Sequence, residues 1–142
     1  MKLAFACDHA GFGLKVKIMQ YLEVAGNEIT DLGCYSAEPT DYAEFGHELA
    51  EHISDKKSDF GISLCGSGNG INMTANKHPL IRSALCWNTE IAALARQHND
   101  ANICALPARF ISFEEAIDII EVFLTASFEG GRHKRRIEKI PM

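Results

Sequence analysis

Short apolar runs alternate with longer amphipathic stretches along this chain, and that alternation constrains its fold more than any other feature. Residues 3–7 form the first apolar run, which stops at Asp8-His9-Ala10-Gly11. Residues 28–32, 60–64, 83–87 and 102–106 follow as further strand segments. Between them, apolar residues recur at helical spacing. Leu14, Ile18, Tyr21 and Leu22 precede the stop at Gly26, and Phe45, Leu49 and Ile53 mark the inner face of 42–53. A helix is expected through Ala75 until Pro79 ends it, and another over 90–97, while 34–41 reads as a loop. Ser112 with Glu115 makes a capping box for a last long helix bearing Ala116, Ile120, Phe123 and Leu124. Gly130-Gly131 is expected to break it, and a basic helix at about 131–140 closes the chain.

Strands alternating with helices imply an α/β protein: a three-layer α/β/α sandwich around a five-stranded parallel, Rossmann-like sheet. At 142 residues, with no repeat or linker, the chain is expected to form a single domain, 1–142. The pattern leaves the order of strands open.

Composition narrows the partners. A net charge of −5 argues against a nucleic-acid binder, whose footprint is basic. Against that background Arg132-His133-Lys134-Arg135-Arg136 is strongly basic, which suits a small anionic ligand or a solvated tail equally well. The five cysteines are odd in number, and none forms a C-x-x-C pair or a zinc-like spacing with histidine. With no hydrophobic leader and no membrane-spanning stretch, the expectation is a cytoplasmic protein with free thiols and no membrane partner.

Ligands of open α/β sheets gather at the carboxyl ends of the strands. Two turns there are unusual: Cys7-Asp8-His9-Ala10-Gly11, and Cys65-Gly66-Ser67-Gly68-Asn69-Gly70. Alternate glycines let the backbone turn its N–H groups inward as an anion nest, able to hold a phosphate or a developing oxyanion. A thiol beside a helix N-terminus has its anion favoured, so Cys65 is a candidate base. Cys7, Cys86 and Cys104 read instead as buried small apolar residues.

Known loops of similar content do not fit. A phosphatase loop would place an arginine where Ile71 stands, and the spacing is neither that of a dinucleotide fingerprint nor that of a Walker loop. His98, in Arg96-Gln97-His98-Asn99-Asp100, falls between the fourth helix and the fifth strand, at the edge of the sheet opposite Cys65. It is therefore either a plain surface histidine or part of a neighbouring subunit's site. Arg109, Arg132 and Arg136 are candidate phosphate partners, the last two four residues apart on one helical face, and His9 could add a donor.

Across essentially its whole length the chain resembles the sugar-phosphate isomerase family that holds ribose-5-phosphate isomerase B and galactose-6-phosphate isomerase. The resemblance rests on Cys7-Asp8-His9-Ala10-Gly11-Phe12, Thr40-Asp41-Tyr42, Cys65-Gly66-Ser67-Gly68-Asn69-Gly70 and Ala75-Asn76-Lys77. It continues through Arg96-Gln97-His98-Asn99-Asp100-Ala101-Asn102, Arg109, Glu129-Gly130-Gly131-Arg132-His133 and Arg136. It implies interconversion of ribose 5-phosphate and ribulose 5-phosphate, in the pentose phosphate pathway, through a cis-enediolate without metal or cofactor. By that resemblance Cys65 is the base, Asp8 and His98 open the sugar ring, and Ser67 relays a proton between O1 and O2. The amides of Gly66, Ser67, Gly68, Asn69 and Gly70 would hold the enediolate, and Asn99 would contact the sugar. His9, Arg109, Arg132 and Arg136 would hold the phosphate. It further implies a homodimer, or a dimer of dimers, with shared sites. In one branch of the family a glutamate base follows the last glycine; here that position is Ile71.

Two other functions share these residues. An isomerase of a hexose 6-phosphate (galactose or allose) would need a longer pocket. A non-catalytic sugar-phosphate sensor would bind phosphate without exchanging the C2 proton.

Overall fold

Five strands, β1 (Lys2–Cys7), β2 (Glu28–Asp31), β3 (Phe60–Cys65), β4 (Ser83–Leu85) and β5 (Ile103–Pro107), pair in one parallel sheet in a computed structural model describing residues 1–142. Their order is β2-β1-β3-β5-β4, so β1, β3 and β5 occupy the centre. These three are also the most apolar runs, as strands covered on both faces must be. The helices are α1 (Phe12–Val24), α2 (Tyr42–Ser54), α3 (Asn69–Ala75), α4 (Thr89–Asn99), α5 (Phe113–Thr125) and α6 (Arg132–Ile137). None is long and apolar enough to cross a membrane.

The two faces of the sheet differ in size, because strand side chains alternate. Leu3, Phe5, Cys7, Ile62, Leu64, Cys104 and Leu106 join the core under α1, α4 and α5. Ala4, Ala6 and Ile103 face the smaller core with Leu49, Ala50 and Ile53 of α2. Gly61 lies on that second face, where a Cβ would come within 2.9 Å of Ile103 and 3.2 Å of Ile53 and Leu49. Small residues thus let α2 lie close to the sheet. Cys65, four residues beyond Gly61, ends β3 on the same face.

Several boundaries differ from the sequence expectation. Strand β4 stops at Leu85 rather than residue 87, since it is an edge strand and Asn88 already caps α4 by accepting the Ile91 N–H. Helix α4 runs on to Asn99, so His98 and Asn99 sit in its last turn rather than in a connecting loop. Helix α5 keeps its capping box but ends at Thr125, where Ala126 turns extended, well before Gly130. Helix α6 is shorter than 131–140. Helix α3, by contrast, runs through Ala75 as expected, and the Asn76 side chain that follows exchanges two hydrogen bonds with the Ser83 backbone, ahead of Pro79.

On α1, Tyr21 is exposed and its hydroxyl donates to Glu121, while Lys15 is fully buried. The Lys15 ammonium donates to Asp31 and to the Cys34 carbonyl, which satisfies its charge inside the core.

Candidate active site

Strands β1, β3 and β5 end side by side, with Cys7 opposite Leu64 and Cys65 opposite Pro107. The loops beyond them are stitched by main-chain bonds. Asp8 N–H donates to the Leu64 carbonyl, Ala108 N–H to that of Cys65 at 2.9 Å, and Arg109 N–H to that of Gly66 at 3.0 Å. These bonds hold Asp8, Cys65 and Arg109 at one sheet edge. Asp8 is buried, and its Oδ1 accepts the N–H groups of Ala10 and Gly11. His9 is locked against Thr40: its N–H donates to Thr40 Oγ1, and Thr40 N–H donates to its Nδ1. With Nδ1 accepting, the ring proton of neutral His9 sits on Nε2, free to donate to a ligand.

Within the glycine loop, Gly68 has φ of 78°, a region that favours glycine, and a Cβ there would lie 3.1 Å from the Leu106 carbonyl carbon. Gly70 lies under the Tyr42 ring, which a Cβ would meet at 2.5 Å. The Arg109 guanidinium lies against Gly66, 3.1 Å from the corresponding point. Ser67 and Asn69 are exposed at the turn, with Ser67 Oγ accepting from both the backbone and side-chain nitrogen of Asn69.

Cys65 itself is only 4% exposed, more covered than a place at the mouth of the loop suggested. Tyr42 and Arg109 close on the same loop at Gly70 and Gly66. No cavity of the single chain is lined by Cys65. An open cleft of about 530 Å³ flanks the loop after β1, lined by His9, Pro39, Thr40, Asp41 and Glu44.

The remaining predicted residues lie at the opposite edge. His98 and Asn99 end α4, before β5 begins. The length of β5, five residues at roughly 3.3 Å each, separates them from Arg109. Around His98 the chain folds back, as Glu129 N–H donates to the Gln97 carbonyl and His133 N–H to that of Gly130. The His98 and His133 rings stack with centroids 4.2 Å apart and planes 9° from parallel. Glu129 Oε2 lies 3.3 Å from His133 Nε2 and 4.0 Å from His98 Nε2. Loss of solvation, then the neighbouring His98 and Arg132, push the His133 pKa below the usual imidazole value. Arg132 and Arg136 project from α6 into solvent.

One chain therefore gathers Asp8, His9, Cys65, Gly66, Ser67, Gly68, Asn69, Gly70 and Arg109, and keeps His98, Asn99, Arg132 and Arg136 apart from them. Sequence reasoning gave no part to Tyr42, Lys15, Glu129 or His133. Tyr42 and the Glu129–His133 segment stood within the quoted motifs. The burial of Lys15 had no signal in the sequence.

A parallel α/β sheet with a thiol-bearing glycine loop at its carboxyl edge, and a cluster of arginine and histidine at the other, is the arrangement of an α/β enzyme whose two edges can each receive an anionic group. The chain belongs to the ribose/galactose isomerase family, whose pattern matches residues 3–140. It is 42% identical over 139 residues to ribose-5-phosphate isomerase B of Escherichia coli, covering 98% of this chain and 93% of that one. Its structure is similar to that of a ribose 5-phosphate isomerase from Thermotoga maritima, with a TM-score of 0.97, 47% identity, and coverage of 99% and 97%. It is also similar to the ribose-5-phosphate isomerase B of Mycoplasma genitalium solved with bound ribulose 5-phosphate. There the TM-score is 0.92, the identity 41%, and the coverage 98% of this chain and 93% of that one.

Proposed function

We propose that this chain is an aldose–ketose isomerase that interconverts ribose 5-phosphate and ribulose 5-phosphate, with Cys65 as the base. The observation that carries the reading is the set of hydrogen bonds fixing Cys65, Asp8 and Arg109 at one edge, around the glycine loop of 66–70. The thiolate of Cys65 takes the proton from C2 of the open aldose, and the electron pair of that bond forms the C1–C2 double bond of an enediolate. Ser67 passes a proton between O1 and O2, and the Cys65 thiol returns its proton to C1. One base reaching two adjacent carbons suffices, while amides of 66–70 favour the enediolate over the carbonyl.

Asp8 and His98 open the furanose, His98 protonating the ring oxygen. Asn99 contacts the sugar, and His9, Arg109, Arg132 and Arg136 hold the phosphate away from the reacting carbons. His98, Asn99, Arg132 and Arg136 serve the site of a second copy, so the working unit is a homodimer, alone or paired, with shared sites. The length of β5 between the two groups supports this reading. The chain works in the cytoplasm as a single domain, and its five unpaired thiols agree with a reducing compartment.

The test is NMR in deuterated water with ribose 5-phosphate, a chelator, and either the native protein or Cys65→Ala. Ketose carrying solvent deuterium is expected from the native protein alone. Equal turnover by Cys65→Ala rejects the base, phosphate binding without exchange favours a sensor, and faster turnover of galactose or allose 6-phosphate favours the hexose substrate.

A further inference from the structure

Asp100, which closes α4, holds a backbone that residues with a Cβ disfavour: φ is 46° and ψ is 45°, in the left-handed region. A glycine would hold that turn with less strain. What the aspartate adds is a pair of guanidinium partners. Its Oδ2 accepts from Arg82 Nη2 at 3.1 Å, and its Oδ1 from Arg96 Nη1 at 2.8 Å. The same two arginines take up the carbonyls around it. Arg82 Nε donates to those of Asn99 and Asp100, and Arg96 Nη1 to that of Ala101. We propose that Asp100, gripped by Arg82 and Arg96, is a positioning residue that fixes His98 and Asn99 for the site of the neighbouring subunit, an assignment that rests on the shared-site reading above.

Each jaw of the clamp is anchored in a different part of the fold. The Arg96 guanidinium lies 4.7 Å from the centroid of the Phe60 ring and 5.8 Å from that of Phe123, which ties it to the start of β3 and to α5. Arg82 is held through its main chain, since its N–H donates to Asn102 Oδ1 and its carbonyl accepts the Asn102 N–H. All three side chains of the clamp are partly buried, so their charge-assisted bonds are shielded and fixed in direction. Carbonyls of a helix's last turn ordinarily lack a partner within the helix, and such ends fray. Here that freedom is removed directly beside Asn99 and two residues after His98. The His98 ring is then aimed by its stack on His133 and by the fixed backbone that carries it. An acid that serves a sugar bound mainly by another subunit gains from such a base, because small displacements cost rate.

The test compares Asp100→Gly and Asp100→Asn with the native protein in turnover of ribose 5-phosphate. Both replacements accept the left-handed turn, and neither offers the arginines an anion. Expected are melting midpoints within about 5 °C of native, kcat lower by about ten- to a hundredfold, and KM changed by less than about threefold. Refolding Asp100→Asn together with Cys65→Ala at equal amounts should then raise activity to about a quarter of native, because each hybrid dimer pairs the thiol of one chain with the clamp of the other. His98→Asn mixed with Cys65→Ala is the control for the shared site. Native kcat in both variants, whatever KM does, overturns the proposal. So does a fall in kcat that Cys65→Ala fails to restore while it restores His98→Asn, since that marks a general loss of structure. If neither mixture recovers, the shared-site reading falls and the proposal falls with it.

Discussion

The carboxyl edge of the sheet holds its candidate groups with backbone, whereas the amino edge holds them with side chains. At the first edge Asp8, Cys65 and Arg109 follow directly from strand ends, and main-chain bonds between neighbouring loops fix their places. At the second, His98 ends α4, Arg132, His133 and Arg136 ride on the short α6, and Glu129 lies between α5 and α6, so these groups meet through side chains such as the stacked His98 and His133 rings. The first edge is suited to holding a reacting atom still, a demand that tolerates little error. The second carries exposed cations that can adapt to a phosphate. The contrast agrees with a shared site in which one copy supplies the rigid half and its partner the adaptable half.

The largest expected effect breaks the comparison at its centre. Cys65→Ala should lower turnover by a factor on the order of 10²–10⁴, the range for removing a positioned base. His98→Asn should also be severely impaired. Unfolding the two inactive variants together and refolding them at equal amounts should restore about a quarter of native activity, since half the dimers are hybrids with one intact site of two. An assay that stays at background in the mixture would place both halves in one chain's site.

Stability separates the edges next. Lys15→Ala should cost about 3–5 kcal/mol in denaturant unfolding, because Asp31 and the Cys34 carbonyl lose their cation. Gly68→Ala should cost about 1–3 kcal/mol, through its positive φ and its contact with Leu106. Arg132→Gln and Arg136→Gln, by contrast, should change stability by less than about 0.5 kcal/mol and raise KM instead. Comparable losses of stability at both edges would refute the division into rigid and adaptable halves.

Smaller effects come from titration. Burial lowers the pKa of His52, and it also leads the depression at His133, relative to the ordinary 6.5. Below that value the unfolded chain binds more protons than the folded one, so stability is whole above about 6.5 and declines as pH falls. Melting followed from pH 7 to pH 5 should show the decline, and His52→Gln should flatten it. Finally, burial pushes the Cys7 thiol up to about 12, so iodoacetamide at pH 8 should leave Cys7 unmodified in mass spectra of the native protein.

The elements and the glycine loop were legible because they depend on neighbours in the chain. Ser112 and Glu115 cap α5 as their spacing predicts, and β3 delivers Cys65 into the loop as its apolar run predicts. Helical spacing cannot say which of two adjacent positions meets the core: Leu22 is buried beside the exposed Tyr21, and Lys15, paired with Asp31, is buried beside the half-buried Leu14. The short β4 was overestimated because an edge strand and a central one share the same local pattern.

By itself the sequence determined an alternating α/β chain with a thiol and glycine turn after its third strand, since propensity, capping and periodicity act within a few residues. Only the tertiary structure decided the order β2-β1-β3-β5-β4, the Arg109 guanidinium against Gly66, and the stacking of His98 on His133. Those contacts join residues from 20 to 57 positions apart, and only packing of the whole core brings such partners together.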